Sequence, residues 1–221
     1  TFDIWGPLLN GARLVMAPGI IHDLHQLAQA YERYQVTAAW LTSPIFSLMV
    51  RDYLPAMKSL RYCLAGGDVV SAEYVKRFTE AYPQSTFING YGPTENTTFS
   101  SCHLVQHGDE IGQSVSIGQP IGNSTCYVLN DNMQPVAVGV PGELYVGGMG
   151  VAGYYQNQAA MTAERFVPDP FGSPGSRLYR TGDLVRLNMK GQIDFIGRRD
   201  EQVKVRGYRI ELDEVNQALE S

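Results

Sequence analysis

Cysteine, charge and long apolar runs are all scarce in this chain, and each scarcity removes a class of protein. Only three cysteines occur, Cys63, Cys102 and Cys126. Odd in number and far apart, they offer neither a disulfide framework nor a zinc-ligand spacing, and they fit a reducing cytosol. Charged residues are 18% of the chain and the net charge is −5, so nothing points to nucleic acid or an anionic membrane surface. No apolar run approaches the ~18 residues of a membrane span, and no signal peptide opens the chain. His22 and His25 lie near a helix start, and His103 and His107 in a polar loop. Neither pair brings a Cys or a third ligand, so solvated histidines are expected rather than a metal site. The picture is a cytoplasmic protein. Its hydrophobic content of 44% over 221 residues suffices for a real core, in one large domain or two small ones. Thr1-Phe2-Asp3 opens without Met and the sequence stops at Glu220-Ser221 as a helical pattern begins, so both ends read as cuts through a longer protein.

Taken in order, residues 1–17 are apolar around Trp5-Gly6-Pro7-Leu8-Leu9, and Ala12 to Met16 reads as a buried strand. Asp23 caps a helix whose Leu24, Leu27, Ala28 and Tyr31 follow the 3.6-residue period. Val36–Leu41 is the next strand, and Ser43-Pro44 starts a helix with Ser at the cap. Leu60–Leu64 is a strand ending in Ala65-Gly66-Gly67-Asp68, Ser71 opens a helix over 72–82, and a strand follows at Phe87. Strands alternating with helices make a parallel sheet. Near residue 112 the grammar changes to short strands at Thr125–Leu129, Glu143–Val146, Leu184–Leu187, Ile193–Ile196 and Val203–Val205, with a helical turn at Thr162–Phe166. Their close spacing and turn residues suggest a small antiparallel sheet or barrel. From Glu211, the pattern Leu212, Val215, Leu219 begins a helix.

The most informative stretch is INGYGPTENTTFS, Ile88–Ser100. Thr86-Phe87-Ile88 reads as the end of a strand, broken by Asn89, Gly90, Gly92 and Pro93. A strand ending in a Gly-rich polar turn is where open α/β sheets place ligands. Tyr91, between two glycines, offers a flat face to a planar base, and Glu95 is a hard oxygen ligand of the kind phosphate-bound Mg²⁺ uses. An ordinary turn with a solvated Glu accounts for the same residues.

Other motifs are ambiguous alone. Gly148-Met149-Gly150-Val151-Ala152-Gly153 fits G-x-G-x-x-G, but no helix opening follows, so a dinucleotide site is rejected. In Tyr179-Arg180-Thr181-Gly182-Asp183-Leu184, a carboxylate follows a Gly turn at the mouth of a strand and suits a ribose diol, or merely its own turn. Gly197 to Arg209 is dense in charge, fit for phosphate or carboxylate, or for a solvated edge strand with Val203 and Val205 inward.

Together NGYGPTE, GELYVGG, YRTGDL and GRRDEQVKVRGYRIEL, in this order and spacing, resemble the amino-acid adenylation domains of nonribosomal peptide synthetases, within the adenylate-forming superfamily of acyl-CoA synthetases and luciferases. The resemblance covers essentially the whole chain. It implies an α/β fold: a parallel-sheet subdomain at 1–112, a small antiparallel β-barrel at 113–199, and the hinge and start of an α+β C-terminal lid at 200–221. It implies ATP and Mg²⁺ as cofactors and a carrier domain's phosphopantetheine thiol as acceptor. A neighbouring condensation domain and a small activator protein are further implied partners. Tyr91 would stack on adenine beside Asn89 and Gly90, Asp183 would hold the ribose hydroxyls, Thr94 would contact the α-phosphate and Glu95 would help to hold Mg²⁺. Phe195 takes the place of a Tyr common beside the nucleotide, Arg198 would reach the ribose-phosphate side, and Asp200 matches the hinge of the lid. Lys204 and Gly207 would face the site or the pantetheine tunnel in the thioester-forming state. In the reaction, a carboxylate attacks the ATP α-phosphorus in line, with positive charge stabilising the pentacoordinate state, and a thiol then attacks the acyl-adenylate.

The resemblance also exposes departures. The family's phosphate loop and the Asp for the substrate amino group belong before Thr1, and the lid lysine belongs after Ser221. An Arg usual between Ala152 and Gly153 is missing. These 221 residues alone are therefore expected not to adenylate anything, and a cut sheet is expected to leave an exposed apolar face and poor solubility. The residues assigned to the substrate side chain are Phe2, Trp40, Cys63, Ala65, Gly90, Thr98 and Phe99. Only Thr98 is polar, so a charged or amide side chain is disfavoured and a branched aliphatic one, valine first, is expected. The competing readings are a stand-alone acyl-CoA or aryl-acid ligase and a degenerate, non-catalytic scaffold.

Overall fold

The structure is a computed structural model that describes residues 2–16, 23–200, 203–205, 208–210 and 219, the two short strands after residue 200 by their backbone only. The chain divides into two units: one comprises Thr1–Asn89 and Leu104–Val115, the other Gly90–His103 and Ser116–Ser221.

The first unit opens with α1 (Phe2–Leu9), then α2 (Leu24–Tyr34), β1 (Ala38–Thr42), α3 (Ser43–Asp52), β2 (Tyr62–Gly66), α4 (Ala72–Ala81) and β3 (Thr86–Tyr91, whose last two residues belong to the second unit). Asp23 does cap α2, accepting from the Gln26 amide at 2.8 Å. β1 and β2 pair in parallel, Ala39 opposite Cys63 and Leu41 opposite Ala65, as βαβ connections require. The core beneath them gathers Phe46, Phe78 and Phe87, with Phe46 and Phe87 centroids 4.8 Å apart.

Several local expectations are corrected. Ala12 to Met16 forms no strand; the apolar opening is helical over Phe2–Leu9, and the Ala12 amide bonds back to the Pro7 carbonyl at 2.9 Å. Hydrophobicity alone makes no strand without a partner to bond its backbone. Ser43 does not cap α3. Its hydroxyl donates to the carbonyls of Gly66 at 3.1 Å and Asp68 at 2.8 Å, pinning the helix start to the end of β2. β3 does not end at Ile88 but continues through Asn89 and Gly90 to Tyr91. Ile4, Trp5, Leu8 and Leu9 on α1 are exposed.

The second unit holds β4 (Ser101–Val105, leaving it at His103), β5 (Gln119–Pro120), β6 (Ser124–Leu129), β7 (Pro141–Gly148), α5 (Ala159–Arg165), β8 (Phe166–Pro168), β9 (Arg177–Leu187), β10 (Ile193–Arg198), β11 (Val203–Val205) and β12 (Tyr208–Ile210). Its main sheet is antiparallel in the order β10-β9-β7-β6, with β8 also on β9, and β11 and β12 form a separate hairpin. The fold class is thus α/β with a parallel sheet followed by a small antiparallel one. β9 is far longer than the expected Leu184–Leu187, so Asp183 lies inside a strand rather than at its mouth. Gly182, at φ +75°, lets the strand pass through that bend. The helix expected from Glu211 lies outside the described residues, except at Leu219.

Candidate nucleotide site

The site is built within the second unit from segments far apart in sequence. On β9, the Thr181 hydroxyl accepts from the Asp183 amide at 3.0 Å and donates to the Leu144 carbonyl at 2.7 Å, fixing the strand around its Gly182 bend. A register shift in β10 between Phe195 and Gly197 brings Arg198 opposite Asp183. Arg198 then donates to Asp183 Oδ1 at 2.7 Å, to both oxygens of Asp200 at 2.6 and 2.7 Å, and to the Thr181 carbonyl at 3.1 Å. One guanidinium spans the two carboxylates that the resemblance assigns to ribose and hinge. Arg165 of α5 adds a 3.5 Å contact to Asp200.

Tyr91 enters from the end of β3, and its hydroxyl donates to Asp183 Oδ2. Burial first, and then the neighbouring Asp183 charge, push the Tyr91 phenol well above its ordinary value. The Tyr91 ring packs on the same cluster as Phe195, Val151, Ala152 and Tyr155.

After Tyr91 the chain turns tightly. Thr94, exposed, Glu95 and Asn96 form one 3₁₀ turn, and Thr97 and Thr98 both take positive φ, 46° and 73°. Consecutive β-branched residues at positive φ are strained, and such strain concentrates at ligand sites. Glu95 is buried, and its Oε1 accepts from the Tyr155 hydroxyl at 2.5 Å. Gly90 is buried against Phe99, whose ring carbon would lie 2.7 Å from a Cβ there.

The remaining assigned residues sit in their own units. In the first, Trp40 lies on β1, Cys63 and Ala65 on β2, Phe2 on α1, and Asn89 on β3 with its amide 3.4 Å from the Val115 carbonyl. Cys63 is fully buried, and burial raises its thiol pKa. Lys204 is on β11 opposite Arg209, while Gly207 lies outside the described residues.

Sequence reasoning missed Tyr155, Arg165, Tyr179 and Glu143. Glu143, 2% exposed, accepts from Arg180 at 2.9 and 3.1 Å and from Arg199 at 3.1 Å. Consecutive Arg198, the last residue of β10, and Arg199, just past its end, therefore serve different carboxylates.

Among the described residues no group of three or more His, Cys, Asp or Glu could hold a metal ion by itself. A buried carboxylate such as Glu95 suits Mg²⁺, which takes one or two carboxylates with substrate phosphates rather than an all-protein cage.

The family described as AMP-binding enzyme matches residues 1–156. The chain belongs to the AMP-binding enzyme family. Among its relatives, a linear gramicidin synthase of Brevibacillus parabrevis is 52% identical over 99% of this chain and 4% of the relative. Tyrocidine synthase 3 of the same organism is 48% identical over 99% of this chain and 3% of the relative. The chain thus spans only a few per cent of the length of these curated relatives. Of solved structures, holo-PA1221, an NRPS protein containing adenylation and PCP domains bound to a vinylsulfonamide inhibitor, superposes with TM-score 0.93. It is 37% identical, over 99% of this chain and 38% of that one. NpsA of Klebsiella oxytoca, in complex with 3-hydroxyanthranilyl-AMSN, gives TM-score 0.82 at 32% identity, over 95% of this chain and 43% of that one. The resemblance to peptide-synthetase adenylation domains is borne out. No helix among the described residues is long and apolar enough to cross a membrane.

Proposed function

We propose that this chain is part of an adenylation domain that, in its intact cytoplasmic synthetase, activates an amino acid with ATP to an aminoacyl-AMP. The acyl group then passes to a phosphopantetheine thiol on a carrier domain, with a condensation domain adjoining and a small activator protein as a further partner. The observation that carries this reading is the continuous contact from Tyr91 through Asp183 and Arg198 to Asp200. It joins three sequence segments whose assigned tasks are adenine, ribose and hinge.

In this reading Asp183 accepts from the ribose hydroxyls, oriented by Tyr91 and Arg198, and Tyr91 presents its ring to adenine beside Asn89, Gly90 and Phe195. Thr94, exposed at the 3₁₀ turn, contacts the α-phosphate, and Glu95 holds Mg²⁺, which neutralises phosphate charge when bound. Asp200 is the hinge about which the lid rotates between the two half-reactions, and Lys204 and Gly207 face the site or the pantetheine tunnel in the thioester-forming state. The division into 1–112, 113–199 and 200–221 belongs to this proposal. The apolar character of Phe2, Trp40, Cys63, Ala65, Gly90 and Phe99, with Thr98 alone polar, favours a branched aliphatic substrate, valine first.

The test is amino-acid-dependent ATP–pyrophosphate exchange by the intact parent synthetase against a panel of amino acids. A signal for valine or a close relative supports the reading. Silence with every amino acid, from a folded parent, would move the chain to a non-catalytic scaffold.

A further inference from the structure

The stretch Gly148–Gly153, which fits a dinucleotide fingerprint and spans the place of an Arg the resemblance leads one to expect, packs with Tyr155 on the Thr94–Asn96 turn. The Ala152 amide donates to the Glu95 carbonyl at 2.7 Å, and the Thr97 hydroxyl donates to the Gly150 carbonyl at 2.8 Å. At Gly150 a Cβ would lie 2.8 Å from Asn96 Oδ1 and 2.9 Å from the Asn96 carbonyl, so glycine permits the close approach. The clamp ends at Tyr155, whose hydroxyl donates to Glu95 Oε1 at 2.5 Å.

Tyr155 is itself held. Its ring meets Phe166 edge-on at 5.2 Å, its amide donates to the Thr162 hydroxyl at 3.0 Å, and its hydroxyl lies 3.2 Å from that of Tyr179. The single Tyr155 proton goes to the carboxylate, so Tyr179 is the donor between the two phenols. Neighbouring Tyr154, 71% exposed, takes no part in the clamp.

We infer that Tyr155 is a positioning residue for Glu95: it fixes one carboxylate oxygen and so sets the direction in which the carboxylate meets a divalent cation. This rests on the assignment of Glu95 to Mg²⁺ proposed above. Outer partners of this kind orient metal-binding carboxylates, and losing one weakens metal affinity by about tenfold or more.

The experiment uses the intact parent synthetase with Tyr155→Phe, Tyr154→Phe and Glu95→Gln. Two quantities are read: Mn²⁺ affinity by electron paramagnetic resonance with α,β-methylene-ATP, and the Mg²⁺ dependence of pyrophosphate exchange. Tyr155→Phe keeps the ring contact with Phe166 and removes the hydroxyl that donates to Glu95 and meets Tyr179. Its Mn²⁺ affinity should fall, and its Mg²⁺ requirement rise, by about tenfold, with the KM for the amino acid unchanged and Tyr154→Phe behaving as the parent. Should Glu95→Gln weaken the metal while Tyr155→Phe matches the parent, the positioning role is overturned and the metal assignment stands. Should Glu95→Gln also leave metal affinity and requirement unchanged, the metal assignment itself fails, and the inference with it.

Discussion

The hydroxyl of Tyr91 donates to the carboxylate of Asp183, 92 residues further along the chain, and ties the end of β3 to the middle of β9. The Asp183–Arg198 pair beside it is nearly dry, with side chains 6% and 14% exposed. Breaking such a pair leaves a charge stranded in low dielectric. Asp183→Asn should therefore destabilise by about 2 kcal/mol, below the full cost of an unpaired buried charge because Asp200 still accepts from Arg198. Tyr91→Phe should lose about 1 kcal/mol and raise the KM for ATP in the parent enzyme. Urea melts and ATP titrations check both, and an unchanged ATP KM for Tyr91→Phe would count against its place in the nucleotide site.

At a second buried carboxylate, Glu143 is 2% exposed while its partners Arg180 and Arg199 are 35% and 40% exposed. The asymmetry sets the energetics. Glu143→Gln leaves the arginines free to reach water, but replaces a carboxylate that accepts three charge-assisted bonds and the Gly182 amide. It should cost about 2 kcal/mol, whereas Arg199→Ala should cost under about 1 kcal/mol. Equal losses in urea melts would refute this ordering.

Two glycines close to Phe99 should respond differently to the same added methyl. A Cβ on Gly92 would lie 2.7 Å from the Phe99 Cα and 2.8 Å from the Ser100 amide nitrogen, both backbone. A Cβ on Gly90 meets the Phe99 ring instead. Gly92→Ala should thus cost about 3 kcal/mol, and Gly90→Ala about 1 kcal/mol as the ring swings away. If Phe99 faces the substrate, Gly90→Ala should also alter amino-acid preference in pyrophosphate exchange. Trp40→Ala should shift that preference toward larger side chains, and an unchanged profile in both variants would count against the substrate assignment.

Tyr31, Tyr91 and Tyr155 all have raised phenol pKa values, with burial the leading cause in each. A phenol with a higher pKa folded than unfolded keeps its proton after the unfolded chain has released its own. Stability from these groups is therefore complete below about pH 10 and is lost as pH rises above it. The urea midpoint should hold steady from about pH 7 to 8, begin to fall near pH 9 as the unfolded chain releases the thiol protons that burial retains on Cys63 and Cys126, and drop steeply beyond about pH 10, with a shallower drop in Tyr155→Phe. A midpoint that stays level to about pH 11 would contradict this.

Legible from residue order alone were the change from helix-separated strands to closely spaced ones, the α2 cap at Asp23, and the family through its four motifs. These are local signals: periodicity, turn residues and strings of fixed spacing survive without knowledge of neighbours. It failed at Ala12–Met16 and at the Ser43 cap because strand pairing and the Ser43 acceptors at Gly66 and Asp68 come from elsewhere in the chain. Chain packing alone makes Arg198 bridge Asp183 and Asp200 while Arg199 turns to Glu143, and brings Tyr155 rather than Tyr154 to Glu95. A bulge and a Gly150 without a Cβ set those contacts, and their partners stand up to 60 residues away for Glu95 and Tyr155. Side-chain direction depends on register and packing, which residue spacing along one chain does not encode.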